Sequence, residues 1–200
     1  MDIDDEEALI ARSRQGDLDS FNRLVEHYQR PVYNLCLRML GSREAAEDAA
    51  QEAFVAAYRA VGGFRGASAG FRAWLFRIAS NACYDELRRR RSRPAVSLDA
   101  PAGEGRRPLD VAHPGPTLDE HAQRRELARG IQDALAALPP DQRLAVILRD
   151  VQGLSYEEVA QATNASLGTV KSRIARGRAR LRDLLLQQRE LLPDPFRRIK

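Results

Sequence analysis

Apolar positions recur three and four residues apart along most of this chain, and no stretch of strict alternation suggests a strand. The pattern predicts an all-α protein. A short helix over residues 4–14 stops near Gly16. Asp17 then caps a second helix whose stripe is Phe21, Leu24, Val25, Tyr28, Val32, Leu35 and Leu37. Pro31 lies inside that stripe and lacks a backbone donor, so a kink or a split is expected there. After a break at Gly41-Ser42, with Ser42 as N-cap, a third helix runs to about Val61 and Gly62-Gly63. Its inward face is Ala46, Ala50, Ala53, Phe54, Ala57 and Val61, and its outward face carries Glu44, Glu47, Asp48, Gln51 and Glu52. A glycine-containing loop leads into a helix over 71–92, with Phe71, Trp74, Leu75, Ile78 and Ala82 on one side and Arg77, Asn81, Tyr84, Asp85 and Arg88 on another. The spacing of Trp74 with Phe71 and Ile78 makes it a core residue.

Residues 94–117 have no period of either kind. They hold Pro94, Pro101, Pro108, Pro114 and Pro116 with Gly103, Gly105 and Gly115, a composition that reads as a flexible linker. Beyond it, a helix over 120–137 ends at Pro139-Pro140. Asp141 is expected to cap the next helix, with Leu144, Ile147, Leu148 and Val151 inward and Gly153 as its stop. Ser155-Tyr156-Glu157-Glu158 has the form of a capping box. The short helix that follows ends near Thr163-Asn164. Ser166 caps another helix, with Leu167, Val170, Ile174 and Leu181 inward. Two short helices joined by so tight a turn make a helix-turn-helix. The outward residues early in its second helix are Thr169, Lys171, Ser172, Arg173 and Arg176, short hydrogen-bonding or basic side chains that suit a major groove. The chain thus divides into a bundle over 1–93, a linker over 94–117 and a helix-turn-helix unit over 118–192.

Charge sharpens this picture. The net charge is +4, with 32 basic residues, all arginine apart from Lys171 and Lys200. They concentrate in Arg88-Arg89-Arg90-Arg91-Ser92-Arg93 and in the series Lys171, Arg173, Arg176, Arg178, Arg180, Arg182. Arginine suits bidentate contacts to phosphate and guanine, and two such runs in separate segments favour nucleic acid as the partner. No catalytic constellation is visible. His27, His113 and His121 lie in unrelated segments, no Cys/His group has metal-site spacing, and no glycine-rich phosphate or dinucleotide motif occurs. No cofactor and no metal are expected. Cys36 and Cys83 sit in apolar stretches as core thiols. The acidic start does not have the form of a signal peptide, and no apolar run approaches a membrane span, so a cytoplasmic protein without membrane insertion is expected.

Four motifs, in order, resemble bacterial RNA polymerase sigma factors of the extracytoplasmic-function (ECF) group. Asp48-Ala49-Ala50-Gln51-Glu52-Ala53-Phe54 is similar to the core-binding signature of sigma domain 2. Phe71-Arg72-Ala73-Trp74-Leu75-Phe76-Arg77-Ile78-Ala79-Ser80-Asn81 resembles its promoter-melting stretch. Leu154-Ser155-Tyr156-Glu157-Glu158-Val159-Ala160 and Gly168-Thr169-Val170-Lys171-Ser172-Arg173-Ile174-Ala175-Arg176 resemble the helix-turn-helix of sigma domain 4. The resemblance implies a stress-response transcription initiation factor that binds core RNA polymerase and promoter DNA, usually under the control of an anti-sigma factor. It implies that Asp48, Gln51 and Glu52, on one helix face, dock on the polymerase clamp helices. It implies that the loop over 64–70 receives a base flipped from the −10 element, with Arg65, Ala67, Ser68, Arg77, Asn81 and Asp85 around it and Arg88 and Arg89 on the phosphates. The small residues of that loop permit close approach, and the Asn81 amide offers both donor and acceptor to a base edge. At the −35 element, Lys171, Ser172 and Arg176 would read bases, with Thr169 and Arg173 beside them and Arg149 and Tyr156 flanking. Ala175 departs from the bulkier residue often found there, which puts part of the family's base preference in doubt. A conventional helix-turn-helix regulator with a sensing or dimerising N-terminal bundle is the other reading. It leaves the second basic helix and the acidic Asp-x-x-Gln-Glu face unexplained. The linker's 24 residues span about 25–30 Å as a coil, against about 70 Å between promoter elements two helical turns apart.

Overall fold

A computed structural model describes residues 5–66, 68–92 and 118–187, with side chains for all of these except 68, 69 and 118–124. The linker 94–117 and the expected base-contacting Ala67 lie outside the described residues, as does the side chain of Ser68. Eight α-helices, and no strand, occur among the described residues: α1 Glu6–Arg14, α2 Leu18–Leu40, α3 Arg43–Ala60, α4 Ser68–Ser92, α5 Leu118–Ala136, α6 Pro140–Val146, α7 Tyr156–Thr163 and α8 Leu167–Gln187. A 3₁₀ turn, Val61–Gly63, follows α3, and a π-helical turn, Ile147–Val151, extends α6.

Local chemistry sets most boundaries. The Asp17 carboxylate accepts the Asp19 N–H at 3.1 Å and the Ser20 hydroxyl at 2.6 Å, and the Ser20 bond holds the Asp17 carboxyl below the ordinary range. Ser42 Oγ caps α3, and Gly41 closes α2 at φ +73°, a left-handed conformation that suits glycine. The capping box is complete: Glu158 N–H donates to Ser155 Oγ at 3.1 Å, and Ser155 N–H donates to Glu158 Oε2 at 2.7 Å. Each such cap contributes about 1 kcal/mol. Asn164 ends α7 in the left-handed region at φ 48°, one of the few residue types that tolerates it, so the helix-turn-helix turns over residues 164–166.

Several boundary and burial expectations are corrected. Pro31 does not split its helix, for α2 is continuous from Leu18 to Leu40. Buried Tyr28, Val32 and Leu35 on either side of the proline hold the helical register, and their burial offsets the missing donor. Asp141 is not the cap of α6. Pro139 holds that place and Pro140 the first helical position, where a missing N–H costs nothing, so Asp141 enters the first turn. Val151 and Leu167, expected inward, are 52% and 38% exposed, because each stands at the end of a helical turn beyond its packed neighbours. Tyr84, expected outward, is half-buried.

One continuous apolar core runs from Leu9 in α1 to Ile174 in α8, so the bundle and the helix-turn-helix unit pack on each other. Six buried alanines of α3 (Ala45, Ala46, Ala49, Ala50, Ala53, Ala57) let it lie close against α2 and α4. Cys36 and Cys83 are both fully buried between α2 and α4 as free thiols. A hydrogen bond to Cys36, reinforced by burial, pushes the Cys83 thiol far above its usual range, so it is inert as a nucleophile. Gly177 marks the crossing of α8 over α6: a Cβ there would lie 2.7 Å from Val146 Cγ2 and 3.2 Å from the Gln142 carbonyl oxygen. Alanine normally favours a helix interior over glycine by about 1 kcal/mol, but overpacking costs about 1–3 kcal/mol. Gly177→Ala is therefore expected to lower stability in urea unfolding by about 1 kcal/mol, and a variant as stable as the parent would show that the crossing can open without cost.

Candidate nucleic-acid and polymerase interface

Three surfaces carry the predicted side chains. The first is on α3. Asp48, Gln51 and Glu52 are exposed, as the 3.6-residue period requires of positions opposite the alanine face. With Val55, Arg59 and the α4 residues Glu86 and Arg89 they border a shallow groove whose floor includes Ala45, Ala49 and Ala56. Val55 is 45% exposed, so the groove offers an apolar patch inside a charged rim. The Arg89 guanidinium bridges the helices, 3.0 Å from Glu52 Oε2 and 3.4 Å from Glu86 Oε2, and these carboxylates hold its pKa above the ordinary value. Arg89, grouped by sequence with the DNA contacts, thus stands on the α3 side of α4.

The second surface lies on α4 itself. Arg77, Asn81, Asp85 and Arg88 fall within one stripe and are exposed. Asp85 and Arg88 form an ion pair with each other. Arg90 pairs with Glu86 at 2.8 Å and donates to the Leu40 carbonyl at 3.2 Å, capping α2. At the head of the stripe, Arg65 is exposed. The Phe64 ring packs on Phe71 and Trp74, with centroids 5.6 and 5.2 Å away, and a Cβ on Gly66 would fall 2.6 Å from it. The glycine therefore serves the loop's own aromatic anchor. Trp74 is half-buried, with one side against this trio and the other toward a cleft.

The third surface is the start of α8. Thr169 N–H donates to Ser166 Oγ at 3.2 Å, Ser172 Oγ donates to the Thr169 carbonyl at 2.9 Å, and Arg176 Nη2 donates to Ser172 Oγ at 3.1 Å. This row of bonds orders Thr169, Ser172 and Arg176 along one face, with Lys171 exposed beside them. The Arg149 guanidinium lies 4.8 Å over the Tyr156 ring and donates to the Leu154 carbonyl at 2.6 Å, which fixes a cation at the edge of the motif. Arg173 does not face outward with this set. It is half-buried, 3.0 Å from Asp141 Oδ2, because Asp141 lies in the first turn of α6 rather than at its cap. Arg178 clamps α8 to the π turn through both Asp150 oxygens, at 2.9 and 2.5 Å, and this bond raises its pKa.

Several polar residues of structural weight were not foreseen. Buried Arg143 donates to the Met39 carbonyl at 2.5 Å and the Leu138 carbonyl at 3.1 Å, and also to the Ala136 carbonyl. Gln152 Nε2 donates to the Pro31 carbonyl at 3.1 Å, while the main-chain carbonyl of Gln152 accepts from Arg72. Gln132 donates to the Arg38 carbonyl at 3.2 Å. Their partners lie about a hundred positions away in sequence or are bare carbonyls, and neither leaves a local signal. Among the described residues no group of three or more His, Cys, Asp or Glu side chains could hold a metal, and no helix is long and apolar enough to cross a membrane.

The family profile "Sigma-70 region 2" matches residues 24–93, and "Sigma-70, region 4" matches residues 128–181. The RNA polymerase sigma-H factor of Pseudomonas aeruginosa is 39% identical over 178 residues, which is 86% of this chain and 90% of that protein. The ECF RNA polymerase sigma factor SigW of Bacillus subtilis is 34% identical over 177 residues, 88% of this chain and 94% of that one. Among solved structures, CnrH in complex with the cytosolic domain of CnrY superposes with a TM-score of 0.66 at 28% identity, covering 91% of this chain and 97% of that one. The sigma factor RpoE of Bartonella quintana, in complex with the anti-sigma factor NepR, gives 0.63 at 26% identity over 84% and 98% of the two chains. The all-α fold, the two matched regions and the shared length place this chain in the ECF group of RNA polymerase sigma factors.

Proposed function

We propose that this sigma factor docks on core RNA polymerase through the α3 face of Asp48, Gln51 and Glu52 and directs it to promoters with two DNA-reading surfaces. Asn81 and Arg77 on α4 serve the −10 element, with the loop around Arg65, Ala67 and Ser68 receiving a flipped base. Lys171, Ser172 and Arg176 on α8 read the −35 element in the major groove, and Arg149 and Tyr156 flank it on the phosphates. The observation that carries this reading is the separation of chemistry by helix face. The acidic, partly apolar groove is on α3, and the hydrogen-bonding and basic row is on the exposed side of the helix-turn-helix. Arg88 remains with the −10 phosphates, whereas Arg89 shapes the polymerase groove by holding Glu52. The reading assigns the chain no catalytic step and places it in the cytoplasm, where polymerase works. An anti-sigma factor is its regulator, as in the Bartonella quintana complex. Run-off transcription with core polymerase on genomic fragments tests the whole reading: discrete start sites that depend on this chain are expected, and their absence would overturn it.

Asp48→Lys with Glu52→Lys reverses the charge of the groove rim. The pair is expected to weaken core polymerase binding by about tenfold or more, since like charges across an interface repel. Stability should shift by no more than about 0.5 kcal/mol, because both residues are exposed. Titration of labelled protein with core polymerase checks this, and an unchanged affinity removes the assignment of that face. Arg176→Ala is expected to lose about 1–3 kcal/mol of discrimination at a single −35 position. A selection from randomised −35 duplexes measures it, and an unaltered base profile would restrict Arg176 to phosphate contact.

A further inference from the structure

Two ion pairs tie α8 to the elements beside it, and they are built differently. Arg178 is gripped by both oxygens of Asp150, at 2.9 and 2.5 Å, which makes a clamp. Arg173 meets Asp141 at one point, Nε to Oδ2 at 3.0 Å, and its two Nη groups make no hydrogen bond among the described residues. Neither partner is buried, since 27% of the Arg173 side chain and 42% of the Asp141 side chain are accessible. Asp141 therefore cancels the charge of Arg173 without locking the guanidinium in place. Arg173 follows buried Val170 by three residues and Thr169 by four, so it stands on a flank of α8 between the packed seam and the row of Thr169, Ser172 and Arg176. On a helix lying in a major groove, a flank position faces the phosphates rather than the base edges.

We infer that Asp141 is a charge gauge on the DNA-reading helix: by neutralising Arg173 it withholds one phosphate contact and holds down affinity for DNA of any sequence, while base discrimination by Lys171, Ser172 and Arg176 stays as it is. The inference rests on the assignment of α8 to the −35 element. Local structure fixes the gauge in place. Pro139 and Pro140 set the start of α6, so Asp141 is held in its first turn and within reach of α8. Among the described residues no carboxylate lines the cleft that Arg173 borders, so none there takes over the cation once Asp141 is neutral. Each phosphate neutralised adds about 0.9 to the slope of log affinity against log salt, so one restored cation strengthens binding about eightfold at about 0.1 M salt. The gain is the same on promoter and non-promoter duplexes. Non-promoter sites far outnumber promoters, so an ungauged Arg173 would mostly increase unproductive binding. The neutral pair keeps DNA binding dependent on the bases.

Asp141→Asn removes the charge and keeps the shape of the side chain. Holoenzyme is formed from core polymerase and the full-length chain. Its binding is measured from about 0.05 to 0.2 M salt, on a promoter duplex mapped by run-off transcription and on the same duplex with the −35 element scrambled. Asp141→Asn should steepen the salt slope by about 0.9 and tighten both duplexes about eightfold at about 0.1 M salt, with their ratio unchanged. Replacing the phosphates beside the −35 element one at a time by neutral methylphosphonate should abolish this gain at a single position. Adding Arg173→Ala to Asp141→Asn should return the slope to that of the parent and remove the sensitivity to that phosphate. An unaltered slope in Asp141→Asn would overturn the gauge. So would a gain that survives Arg173→Ala or responds to no single phosphate, since it would reflect only the loss of a negative charge from the surface. Arg176→Ala in the same assay separates the gauge from the reading beneath it. Lost preference for the −35 duplex in Arg176→Ala, beside no effect of Asp141→Asn, overturns the gauge alone. No effect of either takes α8 out of promoter binding and overturns both.

Discussion

Helix α4 is where the two halves of the molecule meet, and its packing on α2, α3 and α7 sets which of its stripes stay exposed. Against α2 and α3 it buries Phe71, Leu75, Phe76, Ala79 and Cys83, which leaves two stripes for other work. One carries Arg89 and Glu86 toward α3 and completes an acidic groove. The other carries Arg77 and Asn81 toward α7. A helix has room for both because successive stripes are separated by a single residue step of about 100°. Neighbouring arginines in one basic run consequently serve different partners: Arg88 and Arg89 are adjacent in sequence, yet one pairs with Asp85 and the other with Glu52.

Arginine content overstates the charge this molecule can offer to a nucleic acid. Nucleic-acid affinity scales with the cations free to displace counterions, not with their total. Arg143 is buried on carbonyls, Arg72 is tied to the Gln152 carbonyl, Arg173 to Asp141, Arg178 to Asp150, and Arg90 to Glu86 and Leu40. On the helix-turn-helix, Lys171 and Arg176 are exposed and Arg149 is held at the edge of the motif. Exposed ion pairs contribute little to stability, so Arg178–Asp150 matters more for fixing the orientation of α8 than for holding it.

Much of the fold was legible because its signals are local. Asp17, Ser42 and the Ser155–Glu158 box cap helices where the sequence places them, and the alanine face of α3 is read directly from its period. The polar faces of α3 and of the start of α8 followed from the same periodicity. Errors arose where a distant contact or a neighbouring turn outweighs the local rule. Pro31 sits in an unbroken helix because its neighbours are buried, and Asp141 yields the cap to Pro139 and pairs with Arg173 instead. The contacts that join the two units were invisible, since Gln152 and Arg143 bond to main-chain carbonyls more than a hundred residues away. A carbonyl is present at every position, so no residue type announces such a pairing.

The packing of the helix-turn-helix unit on α4, through one continuous apolar core, is the claim most open to direct test. A pulsed electron-spin distance measurement between labels at Glu47→Cys on α3 and Arg180→Cys on α8 addresses it directly. Both sites are exposed, and the two native thiols are buried away from the label. In the free chain the account predicts one narrow distance distribution, set by the closed packing. A broad distribution in the free chain, or one centred well beyond the closed packing, would contradict it.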